Sequence, residues 1–213
     1  GIVPAEFMAN KHVYERDTIK ASNESIKRSF DNLKQFISEI VDEDGNFTDF
    51  YFTHVLWDNG RLGIDGSYVN PQESKFIRHF LNLKQFEVTV DPNDAKTMLM
   101  FKAAVGTAFG LKLDEAEAKE INDKFNQIIN EPMIQEALDK LINNDWNPQT
   151  DMQSIYTLLH TGIGEIKPEH PTHAFHALVA LASYKDADGG KFTTTLSLEV
   201  DGKTNGFAFS ALQ

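Results

Sequence analysis

Between residues 22 and 41, Ile26, Phe30, Leu33, Ile37 and Ile40 recur at intervals of three and four, the spacing that lines up side chains on one face of an α-helix. Ser22 stands before them as an N-cap, so an amphipathic helix is predicted, ending at Asp42-Glu43-Asp44-Gly45. From Phe50 to Val69 aromatic and β-branched residues crowd together, interrupted by Asn59-Gly60 and Asp65-Gly66. That pattern predicts short strands joined by tight turns. Asn70-Pro71-Gln72-Glu73 then offers a cap, a proline for the first helical position and a glutamate to complete a capping box. The helix it predicts carries Phe76, Ile77, Phe80 and Leu81 on one side and sets Lys75 and Arg78 together on a neighbouring face.

From Asp91 to about Tyr184 the pattern is helical almost throughout. Asp91-Pro92, Asp114 and Pro171 signal starts, and Gly110, Glu131-Pro132, Asn147-Pro148 and Gly162 signal stops. The stretch from Lys191 to Val200 alternates strictly, with Phe192, Thr194, Leu196, Leu198 and Val200 against Thr193, Thr195, Ser197 and Glu199, which predicts a half-buried strand. Few other strong strand patterns are available to pair with it. The expected fold class is α+β and predominantly helical, in four sections: a helical segment over 1–48, a hairpin and capped helix over 49–90, a helical subdomain over 91–185 and a strand over 186–213.

Composition narrows the function classes. A hydrophobic content of 41% over 213 residues suits a globular chain with a sizeable core. No apolar run approaches the ~20 residues of a membrane-spanning helix, and the first residues lack the pattern of a secretory leader, so a soluble, unsecreted chain is expected. The absence of cysteine excludes disulfides, thiolate metal sites and cysteine nucleophiles. A net charge of -12 argues against nucleic-acid binding by the whole surface. Any such contact must be local, and the basic patch is Arg61, Lys75, Arg78, His79 and Lys84.

Several candidates for chemistry are weak. Asp42-Glu43-Asp44-Gly45 is not a calcium loop, because Ile40 and Tyr51 occupy positions where that loop needs carboxylates. Asp186-Ala187-Asp188-Gly189-Gly190 fails in the same way, and Gly162-Ile163-Gly164 lacks the preceding strand and third glycine of a dinucleotide loop. His170, His173 and His176 share a spacing of three, but Pro171 places them in or before the first turn of a helix, and no acidic partner stands at a ligand spacing. A further candidate is Asp201, though Asp-Gly also ends many strands in plain turns. Alternation puts it on the polar side with Ser197 and Glu199, just past the strand, and Gly202 follows with a carbonyl that a hard cation can approach.

Two segments carry a resemblance to a known family. Trp57-Asp58-Asn59-Gly60-Arg61, followed by Tyr68-Val69-Asn70-Pro71-Gln72, resembles the Gly-Arg motif and downstream Asn-Pro-Gln of phage and mitochondrial single-subunit RNA polymerases. Glu199-Val200-Asp201-Gly202-Lys203-Thr204-Asn205-Gly206 resembles that family's motif A. The similarity is closest to the virion-packaged branch of phage polymerases and runs from about Asn23, through Ser25-Ile26 and Phe30, to the C-terminus.

The resemblance implies part of a right-hand polymerase fold and two-metal nucleotidyl transfer. Asp201 would hold catalytic magnesium, the Gly202 carbonyl would add a ligand, Arg61 would contact template or hybrid, and Lys75 and Arg78 would meet phosphates. DNA template, RNA product and ribonucleoside triphosphates are the implied partners, in the cytoplasm of an infected bacterium or packaged in the virion. There are departures: Trp57 stands where the family has Asp or Thr, its acid displaced to Asp58, and one extra residue separates Arg61 from Asn70. The family's His-Asp motif and fingers helix are missing from a sequence that stops at Gln213. A second, basic polypeptide supplying them, and completing the sheet around the last strand, is therefore expected. The alternatives are a non-enzymatic virion or scaffold protein derived from a polymerase, or a metal-binding protein built on His170, His173 and His176.

Overall fold

The computed structural model describes residues 12–65, 69–72, 77, 81, 87–113, 116–145, 147, 151 and 157–197. The chain divides into two compact units, Gly1–Leu81 and Asn82–Gln213. It is mixed helical with small antiparallel sheets.

In the first unit, helix α1 spans Val13–Ile40. It starts well before Ser22, which is an exposed interior position and not the cap. Residues 13–21 contain no glycine or proline and several straight-chain helix formers, so nothing stops the helix there. The true start is at His12, whose backbone N–H donates to the Glu15 carboxylate at 3.2 Å. The buried stripe is also rotated from the predicted one. Leu33 and Phe36 pack with Val69, Ile77 and Leu81, whereas Phe30 and Ile37 stay 44% and 37% exposed. Lys34 covers the Phe30 ring, its ammonium 4.7 Å from the centroid.

After α1 the chain turns back. Both the backbone N–H and the hydroxyl of Thr48 donate to the Ile40 carbonyl, at 2.7 and 2.8 Å. The Asp42 carboxylate accepts from the N–H groups of Asp44 and Asn46 at 3.0 and 2.8 Å, so this acidic segment is the expected turn. Strands β1 (His54–Leu56) and β2 (Leu62–Ile64) form an antiparallel hairpin with His54 opposite Ile64 and Leu56 opposite Leu62.

The second unit has one large core. Strand β3 (Val88–Val90) leads into α2 (Ala95–Ala108), α3 (Ala118–Ile129), α4 (Pro132–Ile142), a single π-helical turn (Thr157–Thr161), α5 (Pro171–Asp186) and strand β4 (Phe192–Thr194). Asp94 caps α2 by accepting the Lys96 N–H at 3.0 Å, and prolines begin α4 and α5 as their fixed φ favours. Helices α2 and α5 are the central ones, each burying seven residues. Phe101, Phe125, Tyr184 and Phe192 meet edge to face across this core, with Phe101 and Phe192 centroids 4.9 Å apart.

Strand β4 differs from expectation in two ways. Among the described residues its regular part ends at Thr194, since pairing with β3 extends only from Val90–Phe192 to Val88–Thr194, while residues 198–200 of the expected strand lie outside them. Its partner is β3, a short run of valine and threonine not anticipated as a strand. The sheet is thus closed within the chain on that side, and the strand does not need a second polypeptide to find a neighbour. Asp91 and Lys191 extend the same register with an ion pair at 2.9 Å, whose hydrogen bond holds the Asp91 carboxyl below its ordinary value.

Candidate nucleic-acid interface

The hairpin of the first unit presents Arg61. Trp57 N–H donates to the Arg61 carbonyl at 2.9 Å and Gly60 N–H to the Trp57 carbonyl at 2.8 Å, closing a tight loop in which Gly60 takes φ 77°. A loop of this kind needs a left-handed residue there, and glycine adopts that conformation without strain. The Asn59 side chain accepts the Arg61 N–H at 3.0 Å. Both backbone polar groups of Arg61 are therefore tied down while its side chain remains exposed, and among the described residues no carboxylate pairs with it.

The same geometry accounts for Trp57 and Gly63. The indole lies over the Gly63 backbone so closely that a Cβ would come within 2.4 Å of the ring. Trp57 remains 48% exposed, and Leu56, Leu62 and Tyr51 are 72%, 62% and 91% exposed. The exposed guanidinium next to Leu62 and to Trp57, whose backbone N–H donates to the Arg61 carbonyl, suits stacking and phosphate contact with nucleic acid. Asp58 lies at the exposed tip.

The segment after the hairpin folds back onto it. Asn70 is buried, and its side chain accepts the Gln72 N–H at 2.8 Å; residues 73–76 and 78–80 of the helix expected to follow lie outside the described residues. Gln72 was not singled out by its own chemistry, yet it joins the two motifs. Its Oε1 accepts the Ile64 N–H at 3.0 Å and its Nε2 reaches the Leu62 carbonyl at 3.5 Å. The β1–β2 hydrogen bonds flank these groups, with Asp65 N–H donating to Thr53 and Trp57 N–H to Arg61, so Leu62 O and Ile64 N face the outer edge. The carboxamide satisfies that edge as a neighbouring strand would.

Lys75, Arg78, Asp201 and Gly202 lie outside the described residues. Of the three histidines, His170 precedes α5 as its N-cap residue. His173 and His176 point instead at the chain beyond β4, His173 Nε2 lying 3.3 Å from the Ser197 carbonyl and His176 Nε2 3.0 Å from the Thr195 hydroxyl. Among the described residues no three histidine or carboxylate side chains form a group that would hold a metal, and no helix is long and apolar enough to cross a membrane. Gly162-Ile163-Gly164 belongs to a turn closed by the Ile163–Ile166 bridge.

No curated protein and no solved structure matches the chain. Residues 1–81, the stretch that folds as the first unit and holds the Gly-Arg and Asn-Pro-Gln segments, match the family model of the virion DNA-directed RNA polymerase domain, so this stretch is similar to the phage virion-type RNA polymerases.

Proposed function

We propose that this chain forms part of the active site of a phage-type DNA-directed RNA polymerase, with the β1–β2 hairpin as one of its nucleic-acid contacts. The observation that carries the reading is the bond from Gln72 to the edge of β2. It makes one rigid piece of two separated motifs, inside the segment that matches the virion polymerase domain. On that piece Arg61 is fixed at its backbone and exposed at its guanidinium, which can fork to phosphate or to a base edge of template or hybrid. Lys75 and Arg78 add phosphate contacts.

Asp201 and the Gly202 carbonyl are hard oxygen donors, the set that magnesium prefers, and in this reading they hold the catalytic metal. Bound magnesium supplies charge neutralisation at the triphosphate and activation of the 3′ hydroxyl. The residues of this chain hold the ion and orient the template strand. The 213 residues contain no His-Asp pair for a second metal-binding aspartate, and in this reading a second polypeptide contributes that aspartate and the fingers residues. A basic partner would also offset the charge of -12 in a complex that binds a polyanion.

The test is RNA synthesis on single-stranded and promoter DNA with magnesium, by the chain alone and with the partner polypeptide. Synthesis by the mixture only, abolished by Asp201→Asn at unchanged melting temperature, is the expected result. An Asp201→Asn complex that still makes RNA would refute the assignment, since loss of a metal ligand removes several kcal/mol of transition-state stabilisation.

A further inference from the structure

We propose that His173 and His176 are positioning residues for the segment that leads to Asp201, holding residues 195–197 against α5 beyond the point where the sheet ends. For catalysis the proposal rests on the reading of Asp201 as a metal ligand; the clamp itself rests on geometry.

Helix α5 is a firm anchor, since His173, Ala174, Ala177, Leu178, Ala180, Leu181 and Ala182 are all buried. The two histidines are three apart and share a face of the helix. On the other side, β4 is held by β3 only as far as Thr194. From there the chain passes to a different set of partners. Leu196 N–H donates to the Thr194 hydroxyl at 3.1 Å and the Leu196 side chain packs against the core, while His176 meets the Thr195 hydroxyl and His173 the Ser197 carbonyl.

A carbonyl only accepts, so His173 must carry its proton on Nε2 to make this bond. Burial, and then the neighbouring His173, keep His176 below its ordinary pKa and therefore neutral at pH 7. The residues gripped, Thr195 and Ser197, belong to the polar set in which alternation also places Asp201.

Chain geometry gives the size of the effect. Asp201 is four residues beyond Ser197 and five beyond Leu196, whose packing against the core does not depend on the histidines. At full extension, holding Ser197 confines Asp201 within about 14 Å of its anchor, against about 18 Å if the last anchor were Leu196. The accessible volume shrinks roughly twofold, and the fraction of time the carboxylate spends where it is needed rises by a similar factor.

The experiment compares the parent with Thr195→Val, with the double variant His173→Ala/His176→Ala and with the double variant His173→Gln/His176→Gln. Thr195→Val leaves both histidines in place and guards against the outcome that removing buried His173 unfolds the chain. Hydrogen exchange over residues 195–197 of the full chain should accelerate in Thr195→Val and in the alanine double variant, with protection of α2 and α5 retained. In the assembled polymerase, kcat should fall about twofold at unchanged KM for nucleotide. Glutamine, whose Nε2 can replace that of histidine, should recover most of both. Parent-like exchange in folded variants overturns the clamp. Faster exchange with unchanged kcat, in a polymerase that Asp201→Asn inactivates, overturns the positioning role. An active Asp201→Asn polymerase shows instead that the catalytic reading has failed, whatever the exchange data say of the clamp.

Discussion

Replacing Gln72 by alanine removes both contacts that hold the edge of β2 without touching the hairpin itself. The Ile64 bond at 3.0 Å has good length and the Leu62 contact at 3.5 Å is weak, so the loss should be about 1 kcal/mol, the middle of the range for one exposed neutral hydrogen bond. A hairpin of two short strands is marginal by itself. A change of that size therefore multiplies the released fraction of the β2 edge by about five. Amide exchange at Ile64 reads this directly, because its N–H is the one bonded to the carboxamide. The rate should rise about fivefold in Gln72→Ala, and less in Gln72→Glu, which keeps an acceptor for Ile64 and loses the donor to Leu62. RNA synthesis should fall in parallel as Arg61 loses its fixed bearing. Parent-like exchange at Ile64 in a folded Gln72→Ala chain would refute the reasoning.

Gly63→Val should force the Trp57 indole off the hairpin, since even a Cβ at that position meets the ring at 2.4 Å; a shift of tryptophan emission with little change in melting temperature is expected. Arg61→Lys should weaken transcription through loss of the fork, and equal activity at low and high salt would reduce the Gly-Arg segment to a turn. Phe192→Ala should cost about 3–5 kcal/mol in urea unfolding, because it empties a buried ring site against Phe101 and Tyr184. His160 and His176 are both held below 6.5 by burial. Below that pH the unfolded chain takes up protons that the folded chain resists, so stability is complete above 6.5 and declines as pH falls toward the folded values. Urea midpoints between pH 7.5 and about 5 should show this decline, partly flattened in His176→Gln. The carboxylates Asp91 and Glu165, held low by Lys191 and Lys124, lose their contribution only in more acid solution.

Much of the local structure is legible in the order of residues alone. Asn59-Gly60 marks its hairpin turn because few residues tolerate φ 77°, Pro132 and Pro171 mark helix starts because their φ is already helical, and Asn70 closes a local turn onto the Gln72 N–H through its own short side chain. Each of these signals is settled within three or four residues. The Gly-Arg and Asn-Pro-Gln segments are likewise visible as words in the sequence, within the stretch that matches the virion polymerase domain. What depends on distant residues is decided only by the folded chain. Val88–Val90 is too short to announce itself and becomes a strand because Phe192–Thr194 lies beside it. Helix α1 turns Leu33 and Phe36 inward, and not Phe30 and Ile37, because Val69 and Ile77 supply the partners. Gln72 stands in the Asn-Pro-Gln segment and the two α5 histidines in a spacing of three, but neither pattern names the partners these side chains take. Their partners stand eight to ten and nineteen to twenty-four positions away in the chain, and a hydrogen bond over such a separation exists only once the packing of the core has brought donor and acceptor together.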